Sequence, residues 1–173
     1  MAASVVLNLR NLDRFKRELR GGRSREVRGA LDEWGRLYAD FTKRRFVKFS
    51  RGGGNWRQLA QSTIEAKRRR GAANPTRILV DTGLLLGELE PRVGGFSGVR
   101  STKRGMQLRL DMSAMSSSYA RGNTTGDVAG YHNTGGGRLP RRQIFIQPTK
   151  ELRRKMAQAM QRAIRAWYKR TRV

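Results

Sequence analysis

His132 is the only histidine in the chain, and it lies in Gly130-Tyr131-His132-Asn133-Thr134, just ahead of Gly135-Gly136-Gly137-Arg138. A nuclease of the histidine–metal kind needs more than one such ligand, and a structural zinc site needs several imidazoles or thiolates. With one histidine and no cysteine, neither can be assembled. A Ser-His-Asp relay is formally open, but no G-x-S-x-G elbow presents a serine. His132 therefore reads as a hydrogen-bonded structural residue. The three glycines could cradle phosphate through their amides. A P-loop, however, continues into Gly-Lys-Ser/Thr and a helix. Here Arg138-Leu139-Pro140 and an apolar run follow, so the glycines read as a turn.

Two further fragments carry chemical potential. Glu65 and Lys67 form an E-x-K unit, a fragment of some metal-dependent nuclease sites. Magnesium chemistry needs converging carboxylates, and the sequence identifies none. The spacing of Ser62 and Glu65 also fits a capping box, which accounts for the glutamate without catalysis. Lys67-Arg68-Arg69-Arg70 is a basic cluster. It could neutralise phosphates, each adding about one unit of salt dependence, or simply form a solvated face. Zinc-finger and RNA-recognition-motif signatures are missing. No cofactor is expected.

The charge of the whole chain frames these fragments. Its 173 residues hold 38 Lys+Arg against 13 Asp+Glu, a formal net charge of +25. Such a chain repels itself and seeks polyanions or acidic protein surfaces. Arginine dominates, which suits bidentate contact with phosphate or carboxylate. The length fits one domain. The lack of cysteine removes disulfides. No apolar run is long enough for a membrane span, and the first residues do not read as a secretory signal.

The elements that must position these residues follow from periodicity. Residues 1–22 read as an arm: an extended SVVLNL, then a short helix that Asn11 could cap. Ser24 is a candidate cap for a long helix in which Val27, Leu31, Trp34, Tyr38 and Phe41 share one face. Phe46 and Phe49 extend the stripe, and Arg51-Gly52-Gly53-Gly54-Asn55 stops it. A second helix is expected within 56–70. A short helix follows Asp81 or Thr82, and Pro91 helps end it. Residues flanking Lys103-Arg104-Gly105 predict a hairpin, with Met106, Leu108, Leu110 and Met112 alternating onto one face. Residues 113–138 are polar and read as a long flexible loop, ordered by partners. Gln143–Pro148 predicts a strand. Thr149 then caps a last helix with the stripe Leu152, Met156, Ala159, Ala163 and Trp167. The sum is an α+β domain over 1–173, with an antiparallel sheet packed on the long N-terminal helix and the C-terminal helix.

The order of fragments is more specific than any one of them. NWRQLAQSTIEAKRRRG resembles the W-x-x-L…T-x-x-x-K opening of tailed-phage virion morphogenesis (tail-completion, minor tail) proteins. ILVDTGLLLGEL is similar to their L-x-x-T-G-x-L segment, and AGYHNTGGGRLPRRQIFI to their Y-x-x-x-H-x-x-G…P-x-R-x-F segment. ELRRKMAQAMQRAI resembles the terminal helix that follows. The resemblance covers roughly residues 55–165; residues 1–50 share only a helix. It implies no enzymatic activity. It implies a subunit of the virion neck or upper tail, made in the host cytoplasm, that forms a ring, commonly sixfold, and joins tail to head. Its partners would be copies of itself and neighbouring neck, connector or tail-terminator proteins, with no membrane. Trp56, Thr63, Lys67, Thr82, Gly83, His132, Gly135 and Arg142 would be fold or assembly positions. Lys67, Arg68, Arg69, Arg70, Arg138, Arg141 and Arg142 are the residues expected to face acidic partners or, without sequence preference, genomic DNA in the ring lumen. The rival reading is a general basic nucleic-acid-binding protein, which explains the charge but not the motif order.

Overall fold

The computed structural model describes residues 25–90, 97–102, 105–110, 115, 117–119, 122–135 and 140–171, the two strands by their backbone alone. The expected arm over 1–22, the Ser24 cap, the role of Pro91, the Lys103-Arg104 turn, the alternation through Met112 and the position of Arg138 lie outside the described residues.

Helix α1 spans Arg25–Ser50, about 39 Å at 1.5 Å per residue. Its apolar stripe decides its orientation. Val27, Ala30, Leu31, Tyr38, Ala39 and Phe46 are buried, and Trp34, Phe41 and Phe49 pack beside them. The helix ends in glycines. The Gly52 and Gly53 amides donate to Phe49 O and Lys48 O at 3.0 and 3.1 Å, satisfying carbonyls the helix leaves open. Gly52 is left-handed, φ +86°, a conformation cheap for glycine.

Helix α5, Lys150–Thr171, runs antiparallel to α1 and packs along it. Thr149 caps it as expected, its Oγ1 accepting from Leu152 N at 3.3 Å. Leu152, Met156, Ala159, Met160, Ala163 and Trp167 form its buried face. The Trp34 indole N–H donates to Met156 O at 2.6 Å. Arg162–Glu33 and Arg170–Glu26 pairs, at 2.6 and 2.7 Å, line the edges. The Arg162–Glu33 pair is largely exposed and contributes about 0–1 kcal/mol, whereas the Glu26 side chain is only 17% exposed; the apolar seam holds the pair of helices together.

Three short helices close the other end: α2 Gln61–Arg69, α3 Leu84–Glu88 and α4 Thr125–Thr134. Trp56, Ile78, Val80, Leu85, Leu89, Met115, Ala129, Ile144 and Phe145 join Tyr38, Phe46, Leu152 and Met156 in one core. Strands β1 Ser97–Thr102 and β2 Gly105–Leu110 pair antiparallel, Val99 opposite Leu108, and β1 runs beside α1.

The α+β expectation is overturned, because the described residues are mostly helical. Their β structure is one two-stranded hairpin and a single Ser118–Thr124 bridge, too little for a sheet layer. Residues 143–148 form no strand. Side chains bind this segment where a neighbouring strand would have. Arg45 donates to Gln143 O and Ile144 O, and Tyr38 Oη donates to Ile146 O at 2.8 Å. The reading of 113–138 as one loop is also corrected, since α4 lies within it. Its start is a capping box: Asp127 N donates to Thr124 Oγ1, and Thr124 N to the Asp127 carboxylate. The Ser62–Glu65 box does not form. Ala60 is the N-cap, without a side-chain bond, and Glu65 accepts from Gln61 Nε2 at 3.1 Å.

Gly54 gives this architecture a sharp test. A Cβ there would lie 2.3 Å from Phe49 Cδ1, inside the ring that packs on Trp56. Gly54→Ala is expected to lose about 1–3 kcal/mol of stability through overpacking. Gly29→Ala, on the exposed face of α1 with open space around it, is expected to gain up to about 1 kcal/mol. Urea denaturation of both variants checks the pair, and equal effects would contradict the packing described.

Candidate functional site

Lys67 is the one buried residue of α2, 5% exposed. Its ammonium donates to Arg77 O at 2.8 Å and Val80 O at 2.7 Å. Burial lowers its pKa first of all; Asp81 raises it, and Arg70 and Arg77 lower it further. These bonds hold the irregular turn before α3. Ile78 N donates to Ser50 O at 2.9 Å, and Arg77 Nη2 to Ser50 Oγ at 3.0 Å. Leu79 sits at φ +58°, a left-handed conformation costing an L residue about 1–2 kcal/mol. Such a residue persists where its surroundings over-determine it, and here the bonds to residues 77, 78 and 80 do so. Thr82 and Gly83 then start α3: Thr82 Oγ1 accepts from Leu84 N at 3.4 Å, and Gly83 is the left-handed N-cap, φ +83°. Thr63 is exposed in the first turn of α2, its amide on Ala60 O.

A second joint forms around His132 and Arg142, 8% and 5% exposed. His132, on α4, accepts Arg142 N at its carbonyl, 2.7 Å. The Arg142 guanidinium reaches back to Arg57 O at 3.2 Å, beside buried Trp56, whose indole meets Phe46 and Phe49 edge-on at 5.5 Å. Asn133 ties the same segment twice, with Oδ1 accepting from Phe145 N at 2.9 Å and its carbonyl from Arg141 Nε at 3.3 Å. Gly135 ends α4 at φ +82°, where a Cβ would come within 3.0 Å of Arg141 Cβ. Gly135 therefore turns the chain, as expected, while Gly136 and Gly137 lie outside the described residues.

The two buried cations correct part of the surface expectation. Lys67 and Arg142 spend donors on backbone carbonyls inside the fold, whereas Arg68, Arg69, Arg70 and Arg141 are exposed. Arg70 pairs with Asp81 at 3.4 Å. Arg68 and Arg69 have no carboxylate partner among the described residues, and neither do Arg153, Arg154, Arg165 and Lys169 on α5. Carboxylates are already committed elsewhere: Glu26, Glu33, Asp40, Asp81, Glu90 and Glu151 pair with arginine or lysine. Glu88 is buried and accepts from Ser117. Glu65 is exposed while Lys67 points inward, so the E-x-K unit does not converge. Among the described residues, no three His, Asp or Glu side chains come together as a metal-ligating group. No described helix is long and apolar enough to cross a membrane.

Sequence reasoning missed Tyr38, Arg45, Ser50, Arg77 and Asn133 as ties. Only Asn133, beside a glycine turn, carried a local signal, since short polar side chains there habitually bond nearby backbone. No family model, no curated protein and no solved structure matches the chain.

Two measurements test these joints. Lys67→Met keeps the apolar stem but strands two carbonyls, and is expected to cost about 1–3 kcal/mol while speeding amide exchange at Ile78. Unchanged exchange there would remove Lys67 from its role. His132 supplies the second. Burial lowers its pKa below 6.5, Arg142 lowers it further, and the Pro140 carbonyl partly opposes them. The unfolded chain therefore takes up a proton before the folded one does. The stability of the neutral form is present above pH 6.5 and is lost as pH falls below that value toward the lower folded pKa. Denaturation midpoints between pH 7.5 and 5 should decline for the parent chain and flatten for His132→Gln. Parallel curves would contradict the assignment.

Proposed function

We propose that the protein is a non-enzymatic structural subunit of a tailed-phage head–tail junction, of the tail-completion or neck type. It assembles into a ring in the neck or upper tail and joins tail to head. One observation carries this reading. Residues of the ordered motif set, Trp56, Lys67, Gly83, His132, Gly135 and Arg142, build the core and its joints, while arginines with no carboxylate partner among the described residues remain outside. That division suits a part whose motif keeps its shape and whose surface meets neighbours. Neighbouring neck, connector or tail-terminator proteins are the partners, and DNA in the lumen is met without sequence preference, since phosphate contacts position but do not specify.

The second reading, a basic nucleic-acid-binding protein, draws on Arg68 and Arg69. They are exposed at the C-terminal end of α2 and have no carboxylate partner among the described residues. The two readings part in the particle. In the structural reading the protein is present in purified virions at ring-like copy number, and deleting its gene leaves heads and tails unjoined. Arg68→Glu/Arg69→Glu should weaken duplex binding at low salt and flatten its salt slope by about two units. Finding the protein only on free nucleic acid, with virions complete without it, would sink the structural reading. Magnesium- or manganese-dependent cleavage of DNA or RNA abolished by Glu65→Ala would replace both readings with an enzyme.

A further inference from the structure

The outward face of α1 near its C-terminal end holds an open groove of about 620 Å³, lined by Asp40, Lys43, Arg44, Val47, Lys48 and Arg51. These positions recur every three or four residues, so they form one stripe opposite the buried face. Val47, half-buried, and the aliphatic stems of the long side chains make the floor. Two of the cations already hold carboxylates: Arg44 binds Asp40 at 2.9 Å, and Lys43 binds Glu90 from beyond α3. Lys48 and Arg51 have none among the described residues. The Lys48 stem lies beside the glycine turn. A Cβ on Gly53 would lie 3.1 Å from Lys48 Cγ and 3.6 Å from its Cε, so the glycine turn lets its stem lie down.

We infer that this groove docks an acidic amphipathic helix of a partner protein, with an apolar side chain over Val47 and carboxylates on Lys48 and Arg51. The inference rests on the reading of the protein as an assembly subunit. Three observations select this occupant. Lys48, in the last turn of α1, and Arg51, whose amide donates to Lys48 O at 3.3 Å just past its end, line the groove together, within reach of two glutamates one turn apart on a partner helix. The floor is apolar, which suits a helix face laid into a groove and would be wasted on a hydrated phosphate backbone. A second copy of the chain, with 13 acidic against 38 basic residues, offers few carboxylates for Lys48 and Arg51.

The test uses the full chain and fluorescence anisotropy. The probe is a synthetic helical peptide repeating glutamates at that spacing around a leucine; its Leu→Ser version and a short DNA duplex are the comparators. Lys48→Glu/Arg51→Glu is expected to weaken the peptide by about tenfold or more. Arg28→Glu/Arg36→Glu, the same charge change on exposed positions of the same helix, should weaken it less than about threefold. The Leu→Ser peptide should bind more weakly than its parent. Lys48→Gln/Arg51→Gln, gentler on folding, should give an intermediate loss. Equal losses in the two reversal variants would reduce the effect to overall charge and overturn the groove. So would a loss confined to the DNA duplex, or indifference to the leucine. A failed groove with the protein still present in virions leaves the proposed function standing. Absence from virions with groove binding intact removes the proposed function alone.

Discussion

Cations held by backbone carbonyls are the interaction on which this structure depends. Lys67 binds Arg77 O and Val80 O, Arg142 binds Arg57 O, and Arg45 binds Gln143 O and Ile144 O. In a chain with 38 basic and 13 acidic residues carboxylates are scarce, and the buried Lys67 and Arg142 are held by carbonyls instead. A buried charge without partners is costly, and carbonyl oxygens are the acceptors always at hand. Hydrogen bonds to charged groups contribute about 1.5–3 kcal/mol each, enough to fix a segment that has no ladder of its own. The irregular stretches 77–80 and 140–146 are held in this way. The regular part of the fold, α1 against α5, needs no such device because its seam is apolar.

The same shortage shapes the surface. Carboxylates at the edges of α1 and α5 pair with arginines across the seam, Glu26 with Arg170 and Glu33 with Arg162, which relieves repulsion between two basic helices. Each pair is weak in water and screened by salt. Little acid is left for the outer face of α5, the end of α2 or Arg141. Arg68, Arg69, Arg141 and Arg165 there have no carboxylate partner among the described residues, so association with an anionic partner would gain both attraction and relief of self-repulsion.

Legibility in the sequence tracked periodicity. The stripes of α1 and α5 and the Thr149 cap are local patterns, and apolar positions every three or four residues have one good solution. The hairpin was legible for a similar reason. Gln143–Pro148 misled because a short apolar run says nothing about whether a partner strand exists; its partners, Tyr38 and Arg45, lie about a hundred residues away. Helix α4 was hidden by its composition. Gly126, Gly130 and Thr125 are poor helix formers, and its face is barely amphipathic. The Thr124–Asp127 spacing was its one local signal, while the identical spacing of Ser62 and Glu65 produced no box. The inward turn of Lys67 and Arg142 was not legible, because lysine and arginine are rarely buried and read as surface by default.

Neighbours in sequence nonetheless divide the work. Arg142 is buried while Arg141 is exposed, and Lys67 is buried while Arg68 and Arg69 are exposed. In both places an inward cation ties down the backbone from which the outward ones project. Docking a mobile loop costs the entropy of ordering it, and docking a long side chain costs about 0.5–1.5 kcal/mol more. A backbone already held removes the first cost and leaves only the second. The buried cations fix where the exposed arginines begin, so a repeated assembly of such subunits, as proposed, would present its charge at set positions instead of as a diffuse cloud.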